Sequence, residues 1–397
     1  MTPRVLFAGA LLWPNVVRLA RAFHDVGFDV AAVARPEHPV HGSHTPSRTF
    51  PYRAISPRKS LLDAIAAFRP DIVVPCDDRI VAHLRALRAA GDPALAALID
   101  ASLGRGGAGS AGASRAGLAE LEGLPDVKTP AMATVASVSE LRDWAREHGL
   151  PAILKLDGSW GGRDVIVVEK EANIGRAFLH MRLRGSVFRG LKRAAFDRDV
   201  EALRLGRRPT ITVQSYITGP LANIAIACWR GRVVAQVAVE VVRSNGPFGM
   251  ATVVRVVDGD AMAATARSIA RHYELSGLYG LDFVIDAKSG APYLIEINWR
   301  ATQVGHLPLG KGRDLPAALM SALTGETPAW RPALAAREIA LFPQEWRRDP
   351  RSPYLSTIFH DVPADEPELA SYYGFTPGSP AVPFAKGSPK EVVPAGH

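Results

Sequence analysis

Asp282, Glu296, Asn298 and Arg300 lie close together in the chain and could carry chemistry together. The runs 279–286 and 292–298 read as two strands joined at Ser289-Gly290, which predicts an antiparallel hairpin. Side chains alternate along a strand, so Leu281, Phe283 and Ile285 share one face. On the partner strand Tyr293, Ile295 and Ile297 oppose Glu296 and Asn298. With the register centred on Ser289, Asp282 lies directly across from Glu296. Like charges so placed repel unless a cation sits between them. Hard oxygen donors of this kind suit Mg²⁺ with phosphate oxygens completing its shell. A solvated polar face is the plainer reading of the alternation alone, but Arg300 at the end of the same strand favours chemistry.

A second group surrounds Lys155. A lysine strand over 152–156 runs into a loop with Gly158, Ser159, Gly161 and Gly162, and a further strand follows over 165–169. Glycines let backbone amides fold over phosphate oxygens, and the lysine adds a point charge toward them. No Gly-Lys-Ser/Thr opens a helix, so this is not a P-loop, and an ordinary hairpin loop fits the segment taken alone. Glu240, Arg243, Ser244, Asn245 and Gly249 could border a pocket, with surface polarity the plainer reading. His306 reads better as a structural donor than as an acid or base. For Asp77-Asp78 a helix N-cap is the simpler role, although the C-terminal ends of sheet strands face ligand crevices.

The elements that must position these groups differ along the chain. Strands over 5–8, 30–34 and 72–74 alternate with helices over 15–26 and 60–68, which predicts a parallel sheet with crossover helices. The turn after the first strand lacks the second and third glycines of a dinucleotide site, and the second strand ends without a ribose-binding acid. Residues 101–117, rich in Gly, Ala and Ser, read as a mobile connection. A helix over 139–147 opens at a serine cap. Beyond it come strands over 152–156, 165–169, 210–217, 223–229, 233–242, 252–257, 278–285 and 292–298, hence an α+β domain with a mainly antiparallel sheet. Past Gly325 the chain is rich in Pro and Arg and weakly periodic.

Composition removes several classes. Of 397 residues 47% are apolar and 22% charged, enough to bury a sizeable core, which argues against global disorder. No run approaches the about 18 apolar residues of a membrane helix, and the first residues lack a secretory pattern. Two isolated cysteines, Cys76 and Cys228, argue against a disulfide scaffold and fit a reducing cytoplasm. The net charge of +8 suggests an anionic partner, and it is local. Residues 182–208 hold nine Lys or Arg against three acids, with only Phe188 and Phe196 as aromatics. That pattern disfavours nucleic acid and fits a basic insert drawing in an anionic substrate.

Taken together, the Lys155 strand and glycine loop, the 213–217 run and the Glu296-x-Asn298-x-Arg300 signature resemble the ATP-grasp superfamily of ligases over roughly residues 1–325. The resemblance implies an N-terminal Rossmann-like pre-ATP-grasp domain (1–105), an ATP-grasp domain (106–325, basic insert about 182–208) and a C-terminal extension (326–397, partly irregular). It implies MgATP-driven activation of a carboxylate as an acyl phosphate and its coupling to an amine. Alternatives are a non-amine nucleophile or a nucleotide sensor that keeps only the fold. By position, Asp282, Glu296 and Asn298 would hold two Mg²⁺ (or Mn²⁺) ions, and Arg300 would stabilise the transferring phosphoryl group. Lys155, with Arg300 a catalytic candidate, would contact the nucleotide phosphates and adenine, Arg115 would be a second basic phosphate ligand, Gly158, Ser159, Gly161 and Gly162 would close over them, and Gln214, Ser215, Tyr216 and Ile217 would meet the adenine edge. The partners implied are a small carboxylate and an amine, with no nucleic acid or membrane, and a homodimer is expected from the resemblance alone. The acid that the family commonly places after the hinge glycine is absent; either Asn223 substitutes for it or the ribose contact comes from elsewhere, so that role is unassigned.

Overall fold

The computed structural model describes residues 2–108, 115–156, 165–184 and 210–375. Three sheets organise them. The first contains β1 (Arg4–Gly9), β2 (Asp29–Ala34), β3 (Arg48–Pro51) and β4 (Ile72–Pro75), all parallel, in the order β3-β2-β1-β4. β1 and β4 are apolar on both faces because helices cover both, as parallel sheets require. Asp77, just past β4, caps the helix Asp78–Ala89 by accepting the amides of Arg79 and Ile80, both at 3.1 Å. Its other oxygen accepts the amides of Ala10 (2.6 Å) and Leu11 (3.2 Å) in the turn after β1. Amides that face a pyrophosphate in dinucleotide-binding sheets are thus taken by a protein carboxylate, in line with the missing glycines.

The second sheet is antiparallel: β5 (Met132–Val135), β6 (Ala152–Leu156), β7 (Val165–Val168) and β8 (Ile211–Ser215), in the order β5-β8-β6-β7. Helices Val138–His148 and Ile174–Arg184 bury Leu141, Trp144, Ile174, Phe178 and Met181 against it. The first of these helices is capped by Ser137, two residues ahead of the expected start. Ser137 accepts the Glu140 amide at 3.1 Å while Glu140 reaches back to the Ala136 amide at 2.9 Å. The strand expected over 210–217 ends at Ser215.

The third sheet has seven strands: β9 (Leu221–Trp229), β10 (Arg232–Ser244), β11 (Ala251–Val257), β12 (Gly277–Ile285), β13 (Pro292–Asn298), β14 (Glu338–Ala340) and β15 (Phe359–His360). Their order is β13-β12-β9-β10-β11-β14-β15, antiparallel except for the last pair. Residues 338–375 therefore extend the large sheet. Phe342, Trp346, Leu369 and Tyr373 share one buried cluster with Val16, Phe23 and Ala32 of the N-terminal region and Leu315 and Leu319 of the helix Leu315–Thr324.

The glycine-rich stretch behaves differently from its composition where it is described. The helix Pro93–Leu103 runs into it, and residues 105–108 form a further helical turn. A Cβ on Gly104 would lie 2.0 Å from the Glu274 carbonyl oxygen, and one on Gly106 would lie 2.4 Å from that of Tyr273. These glycines are demanded by backbone packed on backbone, so this part is a close contact and not the mobile connection expected. No helix among the described residues is long and apolar enough to cross a membrane.

Candidate active site

The hairpin is built by its turn. Asp286 Oδ1 accepts the Ser289 amide (2.7 Å) and hydroxyl (2.6 Å), and Gly290 takes the left-handed backbone (φ 69°) that closes the loop. The register puts Asp282 opposite Glu296 and Gly280 opposite Asn298, as the turn predicts. A bulge between Asp282 and Phe283 breaks simple alternation. Phe283 pairs with Leu294, so Leu294 and not Ile295 joins Leu281 and Phe283 in the core, and Ile295 is the extra residue.

On the other face Asp282 accepts from Asn298 Nδ2 at 2.9 Å and from Asn223 Nδ2, which β9 places directly beside it. Burial and the facing Glu296 carboxylate push Asp282 up from 3.8 to about 6, against the pull of Asn223, Asn298 and Arg300. Two carboxyls with an amide oxygen, one carboxyl held toward its neutral form by burial and by the other, make a donor set that a hard divalent cation relieves. The residues fit Mg²⁺.

Arg300 is buried where the signature meets the first sheet. The Ala301 amide donates to the Pro75 carbonyl at the end of β4 (3.2 Å), Arg300 Nε lies 3.3 Å from Asp78 Oδ1, and Trp13 packs against the guanidinium at 4.9 Å. Burial works against the charge on Arg300, but Asp78, Glu296 and Asp77 together hold the guanidinium above its ordinary range.

The nucleotide-binding candidates lie on the second sheet. Lys155 is buried on β6, opposite Val165 and Thr212. Gln214 is buried on β8, the Ser215 amide donates to Ala131 (2.9 Å), the Tyr216 amide donates to Pro151 (3.3 Å), and Tyr216 is exposed. Ile217 is half-buried in the connection to β9. That connection is pinned at Gly219, where a Cβ would fall 1.8 Å from the Ile285 carbonyl oxygen on β12. Arg115 opens the 3-10 helix Arg115–Leu121, whose Leu118 and Leu121 pack in the cluster that holds Leu294. Gly158, Ser159, Gly161, Gly162 and most of the basic insert, 185–208, lie outside the described residues.

Neither a protein-family model nor a curated protein matches the sequence. Solved structures do. A biotin carboxylase from Campylobacter jejuni aligns with a TM-score of 0.57 at 15% identity over 82% of this chain and 72% of that one. An N5-carboxyaminoimidazole synthetase from Staphylococcus aureus aligns with 0.55 at 13% over 82% and 78%. An L-amino acid ligase from Bacillus licheniformis aligns with 0.55 at 14% over 83% and 76%. All three are ATP-grasp proteins. The chain has the ATP-grasp fold.

Within the ATP-grasp fold the hairpin residues come together on one sheet face, whereas Lys155, Gln214 and Ser215 stand on a separate sheet. Asn223, left without a role by the sequence, bonds directly to the Asp282 carboxylate. Of the two aspartates after β4, Asp77 is the helix cap, the simpler role expected, and Asp78 lies beside Arg300. Trp13 carried no sequence signal beyond its place after a strand at the sheet's C-terminal edge. Glu240 stands opposite Arg255, which bonds Glu338 at 2.7 Å, and Arg243 lies over the Tyr354 ring at 5.9 Å. His306 is buried 2.9 Å from Asp361, which also pairs with Arg18; this is the structural role expected of it.

Proposed function

We propose that the chain is an ATP-dependent ligase that activates a carboxylate as an acyl phosphate and couples it to an amine, releasing ADP and phosphate. The observation that carries this reading is the convergence of Asp282, Glu296 and Asn298 across one hairpin, with buried Arg300 at its end. Asp282, Glu296 and Asn298 would hold Mg²⁺, two ions in the family pattern, with Mn²⁺ as an alternative. When bound, the metal neutralises phosphate oxygens that the attacking carboxylate would otherwise be repelled by.

Arg300 supplies fixed positive charge where the γ-phosphoryl group develops negative charge in transfer. Its position is set before substrate arrives by Asp78 and Trp13, so little reorganisation is left for the reaction. Lys155 supplies a second cation toward the nucleotide phosphates, and residues 214–217 offer backbone polar groups to the adenine. In the first step a carboxylate oxygen attacks the γ-phosphorus and ADP leaves. In the second the amine nitrogen attacks the acyl carbon, phosphate leaves, and the amine gives up a proton. The small-molecule acid and amine are the expected partners.

The test is ADP release from the full chain with MgATP, against pooled amino acids and small carboxylates, with hydroxylamine as a surrogate amine and bicarbonate in a separate arm. ADP and a hydroxamate are expected, and Glu296→Gln should lose both while remaining folded by circular dichroism. MgATP binding without ADP or hydroxamate from any pool would replace the ligase with a nucleotide sensor. ADP release only in the bicarbonate arm would replace it with a carboxylase.

A further inference from the structure

Trp299 is the signature residue that turns inward. Its neighbours in the chain serve the site, Asn298 bonding Asp282 at 2.9 Å and Arg300 lying 3.3 Å from Asp78, while its own ring is buried with Leu281, Phe283 and Leu294. Tyr273 and Tyr279 stand nearly perpendicular to that ring, at 5.1 and 6.0 Å between ring centres. The Arg85 guanidinium lies over it at 5.0 Å. With the ring held by three side chains, the backbone on either side of it is held too. Any turn of the indole would move Asn298 and Arg300 together, since both are bonded to the same residue.

Arg85 is an unexpected group to find against this ring. It belongs to the helix Asp78–Ala89, seven residues after Asp78 and so two turns along the same face, and Val81 between them is buried in the Trp299 cluster. One helix face therefore reaches two consecutive signature residues, Trp299 through Arg85 and Arg300 through Asp78. Burial works against the charge on Arg85, and Tyr279 and Asp78 offset only part of that. Its Nη2 is buried and meets no hydrogen-bond partner among the described residues. What the guanidinium does make is the stack on Trp299 and a bond from Nε to the Gly107 carbonyl at 3.0 Å. Gly107 in turn backs on Tyr279, whose hydroxyl a Cβ there would approach to 2.5 Å. A flat cation can stack and donate in its own plane at once, which neither an ammonium nor an apolar chain can do.

We propose that Arg85 is a positioning residue for the site: stacked on Trp299 and bonded to Gly107, it holds residues 298–300 so that Asn298 stays among the metal donors and Arg300 at the phosphoryl position. Arg85 acts through the indole and touches neither metal nor phosphate. The part that concerns Arg300 rests on the ligase reading, whereas the part that concerns Asn298 requires only that the hairpin bind Mg²⁺.

Calorimetric titration of Mg²⁺ into the full chain saturated with ADP tests it, with ADP release in the hydroxylamine assay measured beside it. In Arg85→Met the affinity for Mg²⁺ should fall about 10- to 100-fold, as for other groups that orient metal ligands, and kcat should fall with it while the KM for hydroxylamine changes less than about threefold. Arg85→Lys should stay within about threefold of Arg85→Met, and Trp299→Phe, which keeps a ring, within about threefold of wild type. A double-mutant cycle shows whether the effect passes through the indole. Trp299→Leu should cost a similar factor, and adding Arg85→Met to it should cost nothing further. Wild-type Mg²⁺ affinity in Arg85→Met or in Arg85→Lys, or losses that multiply in the double variant, overturns the proposal. Arg85→Lys carries the same test if Arg85→Met does not fold by circular dichroism. Lowered Mg²⁺ affinity in the variants with no ADP release from the wild type would keep the positioning role and overturn the ligase reading. Undiminished affinity with ADP release intact does the reverse.

Discussion

With burial and the facing Glu296 carboxylate raising Asp282 from 3.8 to about 6, the metal-free folded chain holds a proton that the unfolded chain has released. A folded state that binds a proton more tightly loses stability as pH rises through the interval between the two values. Metal-free wild type should therefore lose stability between about pH 4 and pH 6 relative to Asp282→Asn, and the variant should have the higher Tm at pH 7.5 in EDTA. Saturating Mg²⁺ should reverse that order. Equal Tm differences between the two proteins at pH 4.5 and 7.5 would remove Asp282 as a buried carboxyl facing a second one. Asn223 acts on the same group from β9, orienting the carboxylate without being required to touch the metal. Partners of this kind cost about 10- to 100-fold in metal affinity when lost. Asn223→Ala should weaken Mg²⁺ binding in that range with the fold intact, as read by calorimetry, and undiminished affinity would make the contact incidental.

The element that joins the two halves of the site is the connection from β8 to β9. The Ala287 amide donates to Thr218 at 2.8 Å and the Ile285 amide to Pro220 at 2.9 Å, so residues 218–220 run along the end of β12 with Gly219 between them. Backbone so close leaves no room for a methyl group, and relieving a 1.8 Å approach moves either the connection or β12, which carries Asp282. Overpacking of this kind costs about 1–3 kcal/mol. Gly219→Ala should lower the unfolding free energy measured in urea by that amount and raise the KM for ATP; a variant unchanged in both would show that the two segments separate freely. The hairpin itself was legible because Asp286, Ser289 and Gly290 are local turn chemistry, and turn chemistry fixes register. The bulge at Ile295 was not, because nothing in 292–298 says that Leu294 must face Phe283. Gly104 and Gly106 were misread for a related reason: composition reports freedom of the backbone but not what lies against it.

At the scale of the molecule, the N-terminal sheet, the residues just beyond the signature (Ala301, Val304 and Leu307) and the C-terminal segment share one interior. The first was readable in alternating apolar runs; β14 and β15, of three and two residues, are too short for any period to register, and their partners are distant in sequence. The connection is tightest around Asp361, where Arg18 from the first helix (Asn15–His24) and His306 from just beyond the signature meet it. Burial raises the cost of that carboxylate, and the Arg18 and His306 contacts outweigh it, holding Asp361 below its ordinary range. The pair therefore stabilises the fold above the carboxylate's ordinary titration and loses that contribution as pH falls through the depressed value. Removing one partner strands the other, since the Arg18 and Asp361 side chains are only 10% and 6% exposed. A stranded buried charge costs about 3–5 kcal/mol, whereas replacing both partners by apolar groups is close to neutral. Asp361→Leu should thus be severely destabilising in urea unfolding, and adding Arg18→Met should recover most of the loss. A double variant no more stable than Asp361→Leu would mean that the cost lies in packing around residue 361, and the ionic link from the C-terminal segment to the first helix would not be what holds the three regions together.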